Sequence, residues 1–311
     1  MKETTHTVTQ DVREQLTSSQ VQPGMGDRVR IVLALLALYI IWGSTYLGLR
    51  LAISSIPPFL VAGVRFLIAG TLLYTSLRLR GISNPSRTQW LGAAIIGILL
   101  VVVGNGGVTF AEQWVASGLA AVAVGAVPLW TALFVGLMGK WPARLEWLGL
   151  VLGFVGLLLL NLEHGMWASP IGAVSLILAP MGWALGSALG PRLTLPTGLM
   201  SSAAQMLVGG GVLLVLALVS GEHIQRMPTT SSLLALGYLI LIGSLVAYSA
   251  FNYLLLHVRP ALATSYAYVN PVVAVCLGVG LAGEQITLLG VLAMLIILTG
   301  VGIVSMGKKR R

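Results

Sequence analysis

Polar side chains recur at one-turn spacing inside apolar stretches of this sequence. Asn105 and Thr109 are four residues apart, and Ser244, Tyr248 and Asn252 repeat that spacing twice. Residues at i and i+4 lie on the same face of a helix. Their amide and hydroxyl groups suit non-covalent binding of a zwitterion or a polar head group, because such groups donate and accept hydrogen bonds without being nucleophiles by themselves.

Aromatic side chains follow the same spacing in two other stretches. Trp42 precedes Tyr46 by four residues, and Trp183 precedes Ser187 by four. Indole and phenol rings suit the apolar part of a small ligand. Because polar groups in hydrocarbon are costly, we expect these faces to line one shared cavity. The alternative is that the Ser, Thr and Asn side chains only bond neighbouring helices to each other.

Two prolines fall near the middle of their apolar stretches. Pro128 and Pro271 each remove one intrahelical hydrogen bond and can kink the helix. Tyr266 and Asn270 lie beside the second proline and are further candidates for the cavity lining. The symmetric placement favours a pair of hinges, and a packing kink that does not move is the alternative.

Arg65 is the only cation well inside an apolar stretch. A buried arginine needs a carboxylate or carbonyl groups as partners. Glu112 is expected at a similar depth and is the candidate partner. A structural ion pair is the favoured interpretation, and anion recognition is the alternative.

Several kinds of chemistry have no support in the sequence. The histidines show no H-E-x-x-H spacing, and neither a G-x-S-x-G motif nor a G-x-x-x-x-G-K-[ST] loop occurs. We therefore predict no catalytic residues, no metal, no cofactor and no ATP hydrolysis. Glu112, Glu146 and Glu284 lie at the ends of apolar stretches, which favours uncoupled export and leaves proton coupling through one of these carboxylates open.

The composition indicates the environment that must position these residues. Hydrophobic residues make up 57% of the chain, charged residues only 9%, and the mean hydropathy is +0.93. An average soluble domain has roughly 25% charged residues, so a soluble globular protein is excluded. The net charge of +9 does not indicate nucleic-acid binding, because the charges lie between apolar stretches. The sequence predicts an integral membrane protein.

The apolar stretches are long and continuous. A helix needs roughly 20 mainly apolar residues to cross a bilayer core of about 30 Å. Ten stretches meet this requirement and predict an all-α protein, at residues 31–52, 58–79, 89–111, 117–138, 145–161, 170–190, 198–219, 232–256, 261–282 and 286–306. Residues 1–28 are predicted to be a disordered tail and residues 307–311 a basic end. Most Lys and Arg fall on the side of the membrane shared by both termini, which predicts cytoplasmic termini.

The ten stretches divide into two similar sets of five. One offset aligns Pro128 with Pro271, and residues 65–70 resemble residues 205–210. We therefore predict two repeats, at residues 31–161 and 169–306. Since each repeat has an odd number of spans, the second enters from the opposite side of the membrane. Such inverted repeats are typical of secondary transporters, whose sites lie where the repeats meet.

Three segments carry a resemblance to a known family. Residues 39–46 (YIIWGSTY), 62–66 (AGVRF) and 260–271 (PALATSYAYVNP) resemble the drug/metabolite transporter superfamily, EamA type. The resemblance implies ten helices in two repeats, a central cavity and metabolite export by alternating access. It does not imply one particular substrate.

These expectations combine into one functional hypothesis. The chain is expected to be a secondary transporter of a bacterial-type inner membrane that exports amino acids or small neutral or amphipathic metabolites. Its expected partners are the small-molecule substrate and the lipid bilayer, with no nucleic acid; the oligomeric state is open, and a monomer would be sufficient. The alternatives are a proton-coupled drug/metabolite antiporter and, in another class, a membrane-embedded enzyme or a structural membrane protein.

Overall fold

All regular structure in the described part of the chain is helical. The computed structural model describes residues 25–114, 120, 124–161, 170–282 and 287–306. In chain order the helices are α1 (Met25–Ile53), α2 (Pro58–Leu79), α3 (Arg87–Ala111), α4 (Val127–Leu137), α5 (Arg144–Asn161), α6 (Pro170–Leu189), α7 (Leu199–Val219), α8 (Thr230–His257), α9 (Pro260–Ala263), α10 (Tyr266–Ala282) and α11 (Leu288–Met306). Within α3 and α8 the backbone widens into π-helix, at Ile98–Gly106 and Leu239–Val246.

Six of the described helices are long and apolar enough to cross a membrane: α1, α2, α3, α6 with the turn that follows it, α7 and α8. An all-helical membrane protein is thus confirmed for the described residues. Of the other predicted spans, residues 117–138 contain the short helix α4, and residues 261–282 are divided between α9 and α10. The ten-span arrangement therefore stays a prediction.

The start of α1 corrects one predicted boundary. Residues 25–28, which the sequence assigned to the tail, already belong to the helix, and Asp27 lies in its first turn, where a negative charge is favourable. The rest of the predicted tail and the basic end, residues 307–311, lie outside the described residues.

Contacts divide the chain into two units, residues 1–33 and 34–311. In the first unit, the described residues form the beginning of α1, where Arg30 and Asp27 make an exposed ion pair of 3.8 Å.

Side-chain caps define the starts of two helices. Ser86 accepts a hydrogen bond from the Gln89 nitrogen while the Gln89 side chain accepts one from the Ser86 nitrogen, forming a capping box at α3. Thr229 accepts a hydrogen bond from the Ser232 nitrogen at α8. These caps satisfy main-chain donors that the first turn of a helix leaves free.

Glu222 caps α2 from a distant part of the chain. Its two carboxylate oxygens accept hydrogen bonds from the main-chain nitrogens of Phe59, at 3.1 Å, and Leu60, at 2.9 Å. Pro57, the residue before the helix, has no side chain that could do so. The carboxylate also lies at the positive end of the helix dipole.

Glycines bring α2 and α7 into backbone contact. A Cβ added to Gly70 would stand 2.8 Å from the main-chain nitrogen of Leu207, and one added to Gly210 would stand 2.5 Å from that of Leu67. Real Cβ atoms do not approach backbone atoms this closely, so both positions need glycine. Close approach through small residues is a common packing mode of membrane helices.

A second glycine contact joins α5 to α11. A Cβ on Gly149 would stand 2.6 Å from the carbonyl oxygen of Gly300, and one on Gly300 would stand 2.6 Å from the nitrogen of Gly153. Beside this contact the Tyr268 hydroxyl donates to the carbonyl oxygen of Leu150 at 3.0 Å, which fixes α10 against α5.

One ion pair connects the start of α5 with the ends of two later helices. Arg259, between α8 and α9, pairs with Glu146 through its Nη1 atom, and its Nη2 atom donates to the carbonyl oxygen of Val304 at 2.6 Å. The second Glu146 oxygen accepts from the Ala143 nitrogen. Both charged side chains are largely buried. The sequence analysis did not predict this ion pair.

Candidate functional site

A cavity of about 80 Å³ lies among the helices. This is room for roughly six water molecules. Its lining comes from α1, α2, α3, α6, α10 and the residues around the start of α4, and comprises Trp42, Thr45, Tyr46, Leu49, Arg65, Gly104, Asn105, Val108, Thr109, Val124, Val127, Ala179, Pro180, Trp183, Tyr266 and Asn270.

The structure brings together most of the side chains that the sequence assigned to a cavity. The predicted residues that line it are Trp42, Tyr46, Asn105, Thr109, Trp183, Tyr266 and Asn270. They come from both predicted repeats, so the one-turn spacing found in separate stretches does converge on a common space.

Aromatic rings form one wall of the cavity. The ring of Trp42 lies 4.6 Å from that of Tyr266 and 5.5 Å from that of Trp183, both edge to face. Phe251 is fully buried and contacts all three rings, at 5.3 to 5.6 Å. The sequence analysis missed Phe251, although it lies next to Asn252, because a single apolar residue in an apolar helix gives no signal.

The two tryptophans differ in their hydrogen bonds. The Trp42 indole nitrogen donates to the carbonyl oxygen of Gly243, 3.1 Å away in the π-helical part of α8. The Trp183 indole nitrogen is buried and has no hydrogen-bond partner among the described residues. Trp42 is therefore fixed by the main chain, and Trp183 keeps an unused donor.

The polar residues of α3 bond to main-chain carbonyls, whereas Asn270 of α10 keeps an unused acceptor. The Thr109 hydroxyl donates to the carbonyl oxygen of Asn105 at 2.8 Å, and the Asn105 amide donates to that of Leu100 at 3.3 Å. The Asn270 side-chain oxygen is buried and has no partner in the described part of the chain. An unused acceptor is thus available next to the aromatic wall.

Four of the predicted cavity residues lie outside the lining: Ser187, Ser244, Tyr248 and Asn252. Each of them has a protein partner instead. Ser187 donates to the Trp183 carbonyl, Asn252 donates to the Tyr248 carbonyl, and the Tyr248 hydroxyl donates to Gln205 on α7 at 2.9 Å. Tyr248 thus serves the helix-to-helix bonding that the sequence left open as the alternative, and its partner Gln205 was not predicted.

Arg65 lines the cavity and is only 5% exposed. Its Nε atom donates to the Ser244 hydroxyl at 2.7 Å, and the guanidinium carbon lies 4.7 Å from the centre of the Phe66 ring. The expected pair with Glu112 is not a direct one, since neither Glu112 oxygen has a hydrogen-bond partner among the described residues. Ser244 and the Phe66 ring hold the guanidinium in place of the carboxylate.

Glu112 follows the end of α3, and both of its carboxylate oxygens are buried. Burial raises the pKa of the Glu112 carboxyl to about 8, against the opposing effect of the charges on Arg50 and Arg65. A carboxyl with such a pKa exchanges its proton near neutral pH.

The two predicted hinge prolines differ in position. Pro128 lies in the first turn of α4, where a helix tolerates proline, whereas Pro271 lies inside α10. A third proline, Pro180, lies inside α6 and lines the cavity. It was not singled out, although a proline in the middle of an apolar stretch is the signal that identified the other two. Hinge motion at Pro128 and Pro271 stays a prediction.

No group of three or more His, Cys, Asp or Glu side chains that could hold a metal ion occurs among the described residues. The polar groups at the cavity are instead hydroxyls, amides, indoles and one guanidinium. Groups of these kinds are suited to binding and orienting a solute through hydrogen bonds and ring contacts.

Residues 29–162 and 170–306 match the EamA-like transporter family. An uncharacterised inner membrane transporter of Escherichia coli, YedA, is 49% identical over 276 residues, which cover 88% of this chain and 90% of YedA. Protein PecM of Dickeya dadantii is 28% identical over 86% of this chain and 92% of its own length. The uncharacterised transporter YoaV of Bacillus subtilis is 24% identical over 88% of this chain and 96% of its own length.

The fold also resembles that of a protein of known structure. A crystal structure superposes with a TM-score of 0.74 at 18% sequence identity, covering 88% of this chain and 95% of the other. At this identity the likeness concerns the fold alone.

Proposed function

Because this chain belongs to the EamA-like transporter family, we propose that it is a secondary transporter of the inner membrane that exports amino acids or small neutral or amphipathic metabolites. The observation that carries the proposal is the cavity, whose lining includes residues from both parts of the chain that match the family. A site shared between two such halves is what alternating access requires, since each half can open it to one side.

The proposed architecture is ten membrane helices in two inverted repeats, with both termini in the cytoplasm. The reciprocal glycine contacts between α2 and α7 support it, because residues 65–70 align with residues 205–210. The π-helical stretches of α3 and α8 support it as well, since one occurs in each half.

The lining favours a solute that is partly apolar and partly polar. Trp42, Trp183 and Tyr266 offer ring faces and edges, and Asn270 offers an unused acceptor. A multiply charged solute such as a sugar phosphate is disfavoured, because Arg65 is the one cation among the described residues of the lining. One chain supplies every described residue of this lining, which supports a monomer as sufficient for the proposed activity.

Transport into proteoliposomes tests the proposal. We would measure uptake of labelled neutral and aromatic amino acids by wild-type protein, by Trp42→Ala and by Trp141→Ala. Trp141 is the matched control, because it is half exposed and lies outside the cavity lining. Saturable uptake that is lost in Trp42→Ala and retained in Trp141→Ala supports a carrier with its site in the cavity.

Two results would contradict the proposal. Equal loss in both tryptophan variants would argue against a cavity site. Failure of folded wild-type protein to take up any amino acid would exclude amino acids as the substrates, and the search would pass to other neutral metabolites.

Proton coupling is a second candidate, favoured by one observation. Glu112 keeps both carboxylate oxygens buried and without a hydrogen-bond partner among the described residues. A buried carboxyl of this kind is a proton-binding group in many membrane carriers. An imposed pH gradient distinguishes the candidates: a proton-coupled carrier accumulates substrate against its gradient, whereas an uncoupled one only equilibrates it.

A further inference from the structure

We propose that the guanidinium group of Arg65 binds a carboxylate of the transported molecule, which makes the substrate class a small carboxylate with an apolar or aromatic remainder. The inference rests on the proposed transport function and names the chemistry of its substrate. It assigns to Arg65 a binding role in place of the structural ion pair expected from the sequence.

The geometry of Arg65 leaves its outer edge free. The Nε atom donates to Ser244 and the guanidinium lies against the Phe66 ring. Among the described residues, neither terminal nitrogen of Arg65 has a hydrogen-bond partner. These two nitrogens are the ones that an arginine presents in parallel to a carboxylate. The side chain is therefore held by one edge and offers a donor pair to the cavity that it lines.

A buried guanidinium without an anionic partner is energetically unfavourable. No described carboxylate lies within ion-pair distance of Arg65. Glu112 is the carboxylate whose charge acts on Arg65, and its oxygens accept no hydrogen bond from any described residue. Removing a charge from water is unfavourable unless a partner compensates. A carboxylate brought by a ligand would supply that missing partner.

The Arg65 guanidinium packs closely against Gly243 of α8, where a side chain would crowd it. Gly243 lies next to the Nη2 atom, and a Cβ added there would stand 3.1 Å from it. Gly243 also accepts the hydrogen bond of Trp42, the first ring of the aromatic wall. The same π-helical segment of α8 thus positions both the donor pair and the ring that would contact the apolar part of the ligand.

The chemistry of the cavity specifies the carboxylate rather than the amine. No described carboxylate lines the cavity, so an ammonium group would find no partner of opposite charge there. A phenylalkyl carboxylate without an amino group should therefore be recognised. A phenylalkyl amine without a carboxylate should not.

Three probes that share one aromatic ring test the proposal: L-phenylalanine, L-phenylalaninamide and phenylacetate. Uptake is measured in proteoliposomes above the leak into protein-free vesicles, for wild-type protein, Arg65→Gln, and Arg80→Gln as an exposed arginine control. We expect wild-type protein and Arg80→Gln to transport both carboxylates at least ~10-fold better than the amide, the difference that charge-assisted hydrogen bonds typically make. Arg65→Gln should lose this preference.

A second variant keeps the test decisive if Arg65→Gln does not fold. Ser244→Ala retains the charge and only releases the Nε atom, so it should raise KM for the carboxylates while leaving kcat nearly unchanged. Arg65→Lys keeps the charge but not the two parallel donors, so it should also raise KM for the carboxylates.

The outcomes separate this inference from the function on which it rests. Equal transport of phenylalanine and its amide by wild-type protein would overturn the Arg65 proposal and leave the transporter standing. An intact preference in folded Arg65→Gln would overturn it as well. Absence of uptake of all three probes by folded wild-type protein would overturn the Arg65 proposal together with the amino-acid part of the proposed function, and the search would pass to other neutral metabolites.

Discussion

Gly210 on α7 lies so close to Leu67 on α2 that a Cβ on the glycine would stand 2.5 Å from the Leu67 nitrogen. The reciprocal contact, between Gly70 and Leu207, is nearly as tight at 2.8 Å. When residues 65–70 are aligned with residues 205–210, each contact is the image of the other. A two-fold relation between two similar halves produces such self-complementary pairs.

The first prediction concerns the free energy of unfolding. Gly210→Ala should destabilise the protein by about 2 kcal/mol, because overpacking against a rigid neighbour forces backbone shifts. Gly211→Ala is the matched control, since a Cβ at Gly211 meets nothing within 4 Å. Alanine also has the higher helix propensity. Thermal unfolding in detergent should therefore show a lower Tm for Gly210→Ala and an unchanged or slightly raised Tm for Gly211→Ala. Equal Tm values for the two variants would contradict the close contact.

The sequence predicted the helices well where they depend on composition. Long continuous apolar stretches define α1, α2, α3, α6, α7 and α8, because main-chain groups in hydrocarbon must bond within the helix. Prediction was weaker at positions where local backbone geometry decides. The π-helical widening at residues 98–106 and 239–246 has no signature in hydropathy, and neither does the break between α9 and α10.

The sequence predicted several of the residues that come together at the candidate site, but not the hydrogen-bond partner of Arg65. Spacing found Trp42 and Trp183 because a helical period places residues on one face of a helix, but spacing does not tell which neighbouring helix that face meets. Arg65 was therefore assigned to Glu112 by depth, while the structure gives it Ser244 as partner. The sequence indicates how deep a residue lies in the membrane. It does not indicate which neighbouring helix the side chain of that residue faces.

The second prediction concerns the cap on α2. Glu222→Ala should destabilise the protein by about 1 to 2 kcal/mol, because it leaves the nitrogens of Phe59 and Leu60 without an acceptor. Glu222→Gln keeps one side-chain oxygen and should lose less. The unfolding midpoint in denaturant measures both. If the alanine variant is as stable as wild type, the cap contributes nothing.

The third prediction concerns the ion pair between Arg259 and Glu146. Arg259→Gln should cost about 3 kcal/mol, since it leaves a largely buried carboxylate without its charged partner. The comparison is Arg30→Gln, whose pair with Asp27 is well exposed and should contribute less than about 1 kcal/mol. A double-mutant cycle with Glu146→Gln measures the coupling directly. A coupling near zero would contradict the prediction.

The fourth prediction separates two roles of Trp42 in transport. Trp42→Phe keeps a ring in the aromatic wall but loses the hydrogen bond to Gly243, so it should raise KM by about 5-fold, in line with one hydrogen bond of roughly 1 kcal/mol. Trp42→Ala removes both and should abolish saturable uptake. Uptake kinetics in proteoliposomes measure the two variants. Phe251→Leu serves as a control, because Phe251 packs against the aromatic wall but does not line the cavity. Identical kinetics of Trp42→Phe and wild type would show that the hydrogen bond does not position the ring.

The fifth prediction concerns pH. The groups whose charges act on Glu112 are Arg50 and Arg65. In the folded protein the pKa of the Glu112 carboxyl is about 8, above its ordinary value of 4.5. Between these two pH values the folded state binds the proton and the unfolded state does not. Stability should therefore fall as pH rises from about 4.5 to 8, the reverse of the usual behaviour of a paired carboxylate.

Glu112→Gln removes this dependence because glutamine mimics the protonated carboxyl at every pH. We expect the Tm of wild-type protein to fall relative to that of Glu112→Gln between about pH 4.5 and pH 8, and the two curves to run parallel below and above this range. If transport is coupled to protons at this site, wild-type uptake should also change with an inflection near pH 8 that the variant lacks. If Glu112→Gln loses the inflection in Tm but keeps the one in uptake, the proton that is coupled to transport binds at another residue. Parallel Tm curves over the whole range would show that Glu112 does not titrate abnormally, and would remove the structural ground for coupling through it.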